Sequence, residues 1–274
     1  MSPACSSPGP IGIFDSGIGG LTVAAAIRAR FPTEDLFYIG DTARVPYGGK
    51  SRETIERYSN EIGQALMAEG ARCMVAACNT ASALAIDALR REFAIPVVGV
   101  VEPGASAAAA ATRSGRIGVI GTRATVASGA YPSAIRRHLP DAGVFQNACP
   151  LLVPLIEEGW IEDEIMSATL RRYLAPLLAE KIDTLVLGCT HYPLAREAIA
   201  RLTGPEITLV DSAENCAVAV EKLLVDQTAP AADPSRAGNL RILLTDQAGV
   251  FLKSAAAALG LPLDDVKVGS VAPH

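Results

Sequence analysis

The sequence predicts an α/β protein with mainly parallel sheets, divided into two related halves that face one another. Three observations lead there: short apolar runs rich in Val, Ile and Leu, amphipathic stretches alternating with them, and a repeated strand ending that carries a cysteine. The runs lack polar alternation, as expected of parallel strands covered on both faces. Strands are expected at Ile11–Asp15, Leu36–Gly40, Cys73–Ala77, Pro96–Val100, Arg116–Gly121, Thr184–Gly188, Ile207–Val210 and Leu240–Thr245. Between the second and third, Ile55, Tyr58, Ile62 and Leu66 recur at three- and four-residue intervals. A helix is therefore expected over residues 51–70, with Gly70 as its stop. Strand–helix alternation of this kind argues α/β architecture.

The repeat divides the chain. Ile11-Gly12-Ile13-Phe14 is echoed by Ile117-Gly118-Val119-Ile120. Met74-Val75-Ala76-Ala77-Cys78-Asn79-Thr80 is echoed by Leu185-Val186-Leu187-Gly188-Cys189-Thr190-His191. Two echoes in the same order, at nearly equal offsets, favour related half-domains over chance likeness of α/β units.

Composition narrows the function classes. A chain of 274 residues, 50% of them hydrophobic, sits near the upper limit for one core, so one large domain or two small ones both fit. With 24 basic against 29 acidic residues the net charge is −5, which offers no footprint for a phosphate backbone and argues against a nucleic-acid partner. High apolar content and low net charge exclude disorder for most of the chain. The start lacks the positive end and apolar stretch of a secretory signal, and no run of 18 apolar residues could span a bilayer. A cytoplasmic protein without a membrane partner is expected, its thiols reduced and its Ser/Pro-rich start through Pro10 a flexible extension.

Two glycine motifs fail as phosphate sites. Asp15-Ser16-Gly17-Ile18-Gly19-Gly20 misses the dinucleotide fingerprint because the third glycine would fall at Thr22. Gly49-Lys50-Ser51 misses the P-loop because its first glycine would be Arg44. What remains after the first strand is a glycine-rich turn that exposes backbone N–H groups beside a helix start, either a structural turn or a ligand edge.

Cys78 and Cys189 each end a buried strand before a helix, where amide dipoles can lower a thiol's pKa from about 8.5 toward neutrality. Taken singly, each is better read as a small buried hydrophobe, the reading given to Cys73, Cys149 and Cys216, with Cys5 in the tail. Their equivalence within the repeat is the case for chemistry. Cys189 with His191 is only a partial metal pair, so no metal is expected. A thiol nucleophile supported by His191, as in cysteine hydrolases, leaves the second cysteine without work. Two facing thiols suit inversion of a stereocentre with an acidic C–H, one removing a proton while the other returns one to the opposite face.

These residues resemble those of the glutamate racemases, within the cofactor-independent aspartate/glutamate racemase superfamily. The matching segments are Gly12 to Gly20 (GIFDSGIGG), Gly40 to Gly48 (GDTARVPYG), Ala77 to Ser82 (ACNTAS), Val153 to Gly159 (VPLIEEG) and Leu187 to Pro193 (LGCTHYP). Leu243 to Asp246 (LLTD) fits more loosely. The resemblance implies a first domain of residues 1–103 and 211–274, a second of 104–210, and an active site in the cleft between them. Cys78 and Cys189 match the two catalytic acid/bases, Cys78 acting on the D- and Cys189 on the L-enantiomer. Asp15, Glu157 and His191 match the polar residues that assist them. The implied substrate holders are Asp15, Ser16, Tyr47, Gly48, Asn79, Thr80, Thr190 and His191. The implied product, D-glutamate, serves peptidoglycan synthesis, and the implied assembly is a homodimer.

The resemblance also implies glutamate over aspartate, because aspartate-specific relatives usually carry an acidic residue after the second Cys-Thr, where this chain has His191. No cofactor is expected: the thiols supply both proton-transfer groups, and no lysine occupies either motif. The substrate's carboxylates are expected to be held by backbone N–H groups, Ser16, Asn79, Thr80 and Thr190, without nearby arginines. The alternatives are another amino-acid racemase of the superfamily, a cysteine hydrolase, and a non-catalytic amino-acid-binding protein.

Overall fold

A computed structural model describes residues 9–226, 236–247, 249–261 and 263–271. The expected flexible start lies outside them through residue 8, and Cys5 with it. Among the described residues ten strands form two sheets, and every strand pair is parallel. They are β1 (Ile11–Asp15), β2 (Leu36–Gly40), β3 (Cys73–Ala76), β4 (Val97–Gly99), β5 (Arg116–Gly121), β6 (Gly143–Ala148), β7 (Thr184–Gly188), β8 (Thr208–Asp211), β9 (Leu240–Leu244) and β10 (Val266–Val268).

The first sheet runs in the order β10-β9-β2-β1-β3-β4, and the second β6-β5-β7-β8. The eight expected strands are all present, with no end shifted by more than one residue. The two that hydrophobic pattern missed are edge strands. β6 is partly exposed along its whole length, and its Gly-Val-Phe-Gln-Asn-Ala sequence mixes polar with apolar residues. Val266–Val268 is only three residues long, with two of them exposed.

Helices cover both faces of each sheet, which is why the strands read as unbroken apolar runs. One face of the first sheet packs Leu21, Val23 and Ile27 of the helix Leu21–Arg30 with Ala213, Cys216 and Val220 of Ser212–Asp226. The other face takes Ile55, Ile62 and Leu66 of the helix Arg52–Ala68. That helix starts where expected, because the Ser51 hydroxyl accepts the Thr54 N–H at 3.4 Å, and Gly70 follows it with φ +74°. Fully burying each such aliphatic side chain is worth about 1.5–3 kcal/mol, so the stripe, more than intrinsic propensity, holds the helix in place. The second sheet packs against Glu164–Ala179 on one face and against Val101–Ala111 and Ala130–His138 on the other. The chain passes from the first sheet to the second after β4, and back after β8.

Candidate active site

Parallel strands present the carboxyl ends of β1, β3 and β7 to a shared cleft, the edge at which open α/β sheets take ligands. Asp15 is the last residue of β1, Cys78 precedes the helix Asn79–Leu84 after β3, and Cys189 follows β7 directly. A cavity of about 400 Å³ lies among them. Ser16, Tyr47, Gly48, Cys78, Asn79 and Thr80 line it from the first half, and Glu157, Cys189, Thr190 and His191 from the second. Every expected site residue is thus on the wall except Asp15, which is fully buried behind it.

On the first side the Cys78 thiol points to the Ser16 hydroxyl at 3.6 Å. Asp15 Oδ2 accepts the Gly17 N–H at 3.0 Å, which fixes the carboxylate within the glycine-rich turn. Burial raises the Asp15 pKa, and the His191 charge and the backbone N–H groups of Gly20, Gly17 and Ser16 only partly counter it. The Cys78 thiol is pushed up to about 12, first by burial and then by the Asp15 charge. The expected lowering by the following helix is therefore overturned at Cys78. That helix has only six residues, and loss of water outweighs its amide dipoles.

The second side is built differently. His191 Nδ1 lies 3.9 Å from Cys189 Sγ, and its Nε2 lies 2.9 Å from Glu157 Oε1. Burial alone would lower the His191 pKa, but hydrogen bonding to Cys189 and Glu157, with the charges of Cys189 and Asp15, raises it. The protonated ring is thereby held against the sulfur, placed to stabilise negative charge as it forms there.

The two sides interlock at the turn after β1. Thr190 Oγ1 donates to Asp15 Oδ1 at 3.5 Å, and Thr22 Oγ1 reaches the Thr190 carbonyl at 3.3 Å. A Cβ on Gly19 would collide with the His191 ring and sit 2.6 Å from Thr190 Oγ1. Glycine at position 19 is thus required by close approach of the second half. Donors for a ligand also face the cavity. Asn79 Oδ1 accepts the Tyr131 hydroxyl at 2.7 Å, while its buried Nδ2 has no partner among the described residues. Thr80 Oγ1 lies 2.9 Å from Thr122 Oγ1 across the cleft. Tyr47 is anchored by its hydroxyl to the buried carboxylate of Asp41.

Several wall residues escaped the sequence reading. Val45, Pro46, Cys149, Pro150, Val153 and Pro154 supply apolar surface. Nothing in their local pattern separates wall from core, and burial pushes the Cys149 thiol up to about 12. Arg123 also lines the cavity, so the expectation of a site without nearby arginines is corrected. It was hidden because it opens a short helix after β5, far in sequence from either cysteine motif. Among the described residues no group of three or more His, Cys, Asp or Glu could hold a metal ion. No helix among them is long and apolar enough to cross a membrane.

Comparison with known proteins agrees with this geometry. Residues 21–220 match the Asp/Glu/Hydantoin racemase family. A glutamate racemase of Geobacter metallireducens is 51% identical over 258 residues, 93% of this chain and 94% of that protein. The crystal structure of a glutamate racemase isoform from Bacillus anthracis superposes with a TM-score of 0.91 at 37% identity, over 96% of this chain and 97% of that one. Glutamate racemase from Francisella tularensis in complex with D-glutamate gives a TM-score of 0.89 at 34% identity, over 96% and 98%.

Proposed function

The chain belongs to the Asp/Glu/hydantoin racemase family, and we propose that it racemises glutamate by passing protons between Cys78 and Cys189 across the cleft. The observation that carries this is that both sulfurs face one small cavity from different halves, each with its own polar partner. Starting from L-glutamate, Cys189 as thiolate takes the Cα proton while the Cys78 thiol delivers its own to the opposite face. The sulfurs exchange protonation states, and the D-enantiomer runs the sequence backwards.

Each neighbour has a task in that cycle. A thiol pushed up to about 12 rests as S–H at neutral pH, which suits Cys78 to donate first when L-glutamate binds. When Cys78 must serve as base, the Ser16 hydroxyl and the Ala81 N–H stabilise its thiolate. The protonated His191, braced by Glu157, does the same for Cys189. Charge developing at Cα spreads into the α-carboxylate, and the unpartnered Asn79 amide with the Thr80 and Thr190 hydroxyls is suited to receive it. Asp15 lies behind the wall and acts through Cys78 and Thr190.

The same reading includes glutamate in preference to aspartate, a homodimer in the cytoplasm, and supply of D-glutamate to peptidoglycan synthesis. It also takes the halves as domains that exchange near residues 103 and 211. A cysteine hydrolase would use Cys189, His191 and Glu157 and leave Cys78 unemployed on the opposite wall. Incubating the protein with L-glutamate in deuterated water decides between them. Racemisation with deuterium at Cα is expected; an unexchanged Cα over a wide range of conditions rejects the proposal.

A further inference from the structure

We propose that Arg123 recruits the side-chain carboxylate of the substrate at the mouth of the cleft and helps to select glutamate over shorter or uncharged amino acids. The inference rests on the glutamate reading above and names a part of the site that no motif suggested.

Arg123 is the sole guanidinium among the described residues that line the cavity, and none of them is a lysine. It opens the helix Arg123–Ala127 and is exposed. Its side chain makes no hydrogen bond or ion pair among the described residues. In contrast, Arg44 is tied to Asp41 and Glu61, and Arg137 to Glu102. An exposed cation without a carboxylate partner is free to swing toward an incoming anion.

Its position suits that task. The preceding residue, Thr122, meets the wall residue Thr80 at 2.9 Å. A Cβ on Gly48 would come within 2.7 Å of Thr122 Cβ, so the segment carrying Tyr47 and Gly48 abuts the same spot. Arg123 therefore stands where the two halves meet over the cavity, on the wall shared with Thr80 and distinct from the sulfurs and their partners.

Charge balance explains why a cation is needed there. Glutamate carries two carboxylates and one ammonium and enters a protein of net charge −5. The Glu157 carboxylate lines the cavity and the Asp15 carboxylate is buried behind it, and one sulfur must be a thiolate for turnover. His191 is already engaged by Cys189 and Glu157. A mobile guanidinium at the entrance offsets this repulsion, and its attraction is screened by salt. Its reach favours a carboxylate at the end of a longer side chain over one held close to Cα.

Steady-state kinetics of wild type, Arg123→Gln and Arg123→Lys, in both directions and at low and high ionic strength, test this. Arg123→Gln is expected to raise KM about tenfold for both enantiomers, about 1.4 kcal/mol, while kcat changes less than about twofold. It should also flatten the rise of KM with salt and shrink the preference for glutamate over aspartate. Arg123→Lys should recover most of each, and circular dichroism verifies that both variants fold. A KM and salt dependence like those of wild type in Arg123→Gln overturns the inference. So does a fall in kcat at constant KM. If Arg123→Gln does not fold, Arg123→Lys and wild type are compared for salt dependence, and an Arg123→Met variant replaces it. Wild type that exchanges no Cα proton rejects the glutamate reading itself, whereas active wild type with an indifferent Arg123→Gln rejects only this role.

Discussion

Cys78 and Cys189 follow equivalent strands in equivalent halves, yet they keep different company. Cys78 has a hydroxyl beside it and a buried carboxylate behind it. Cys189 has an imidazole beside it, braced by a half-exposed glutamate. The first setting disfavours a thiolate, and the second places a single imidazole against the sulfur. A strand end before a helix is therefore not enough to specify a reactive thiol. Burial and the nearest charges can outweigh the amide dipoles of the helix that follows, as they do at Cys78. Under the proposed two-base cycle the unequal surroundings give each sulfur its own polar partner, a hydroxyl for Cys78 and an imidazole for Cys189.

The largest effect is expected from removing either sulfur. Cys78→Ala and Cys189→Ala should each lower racemisation in both directions by at least about 10³-fold, since general acid–base groups contribute about 10²–10⁴ and both are needed. Chiral chromatography of product from each enantiomer checks this. Retention of one direction by either variant would dissolve the pairing.

Next comes the seam between the sides. Gly19→Ala places a methyl into the His191 ring and beside Thr190, so the two halves must part or the ring must turn. Activity should drop about 100-fold, the scale of a 1 Å misplacement. The His191 ring resonances should shift in NMR spectra. Unchanged kinetics would show that the halves do not meet there in solution.

The supporting carboxylates should separate the two sides. Asp15 is an acid whose native pKa is raised, so its ionised form costs stability as pH climbs from its usual 3.8 through the native value. Asp15→Asn should therefore raise the thermal midpoint near neutral pH, with no gain below about pH 3.8, while lowering kcat about 10- to 100-fold. Glu157→Gln acts on a base whose native pKa is raised. The stability held by protonated His191 is full below its ordinary value of about 6.5 and is lost as pH rises through the higher native value. Removing Glu157 should move that loss to lower pH and reduce kcat mainly from L-glutamate. Identical pH–stability curves for wild type and both variants would contradict the asymmetry.

The smallest effect belongs to a group shared by both sides. Thr190→Val deletes a hydroxyl that touches Asp15 and faces the cavity. KM should rise several-fold in both directions, within the 1.5–3 kcal/mol of a hydrogen bond to a charged group. An unchanged KM in a folded variant would move the carboxylate site elsewhere.

Sequence made the buried strands and the cysteine turns legible because both are local. An unbroken apolar run ending in Cys-Asn-Thr or Cys-Thr-His states its burial and its edge within a few residues. Edge strands such as β6 carry no such pattern, because one side of the ladder and much of the side-chain surface meet water. Arg123 and the apolar wall from Val45 to Pro154 become neighbours only when the two halves close on one another. The reversal at Cys78 was hidden for the same reason. Its burial is a tertiary property, and the carboxylate that opposes its charge belongs to β1.

The central claim, one sulfur for each face of Cα, is tested most directly by elimination from substrate analogues that carry a leaving group at Cβ. Such an analogue needs only Cα deprotonation, so a variant with one working base can still react. Cys189→Ala should retain elimination from the D-analogue and lose it from the L-analogue, and Cys78→Ala should show the mirror image. Equal loss from both enantiomers in each folded variant would contradict the assignment.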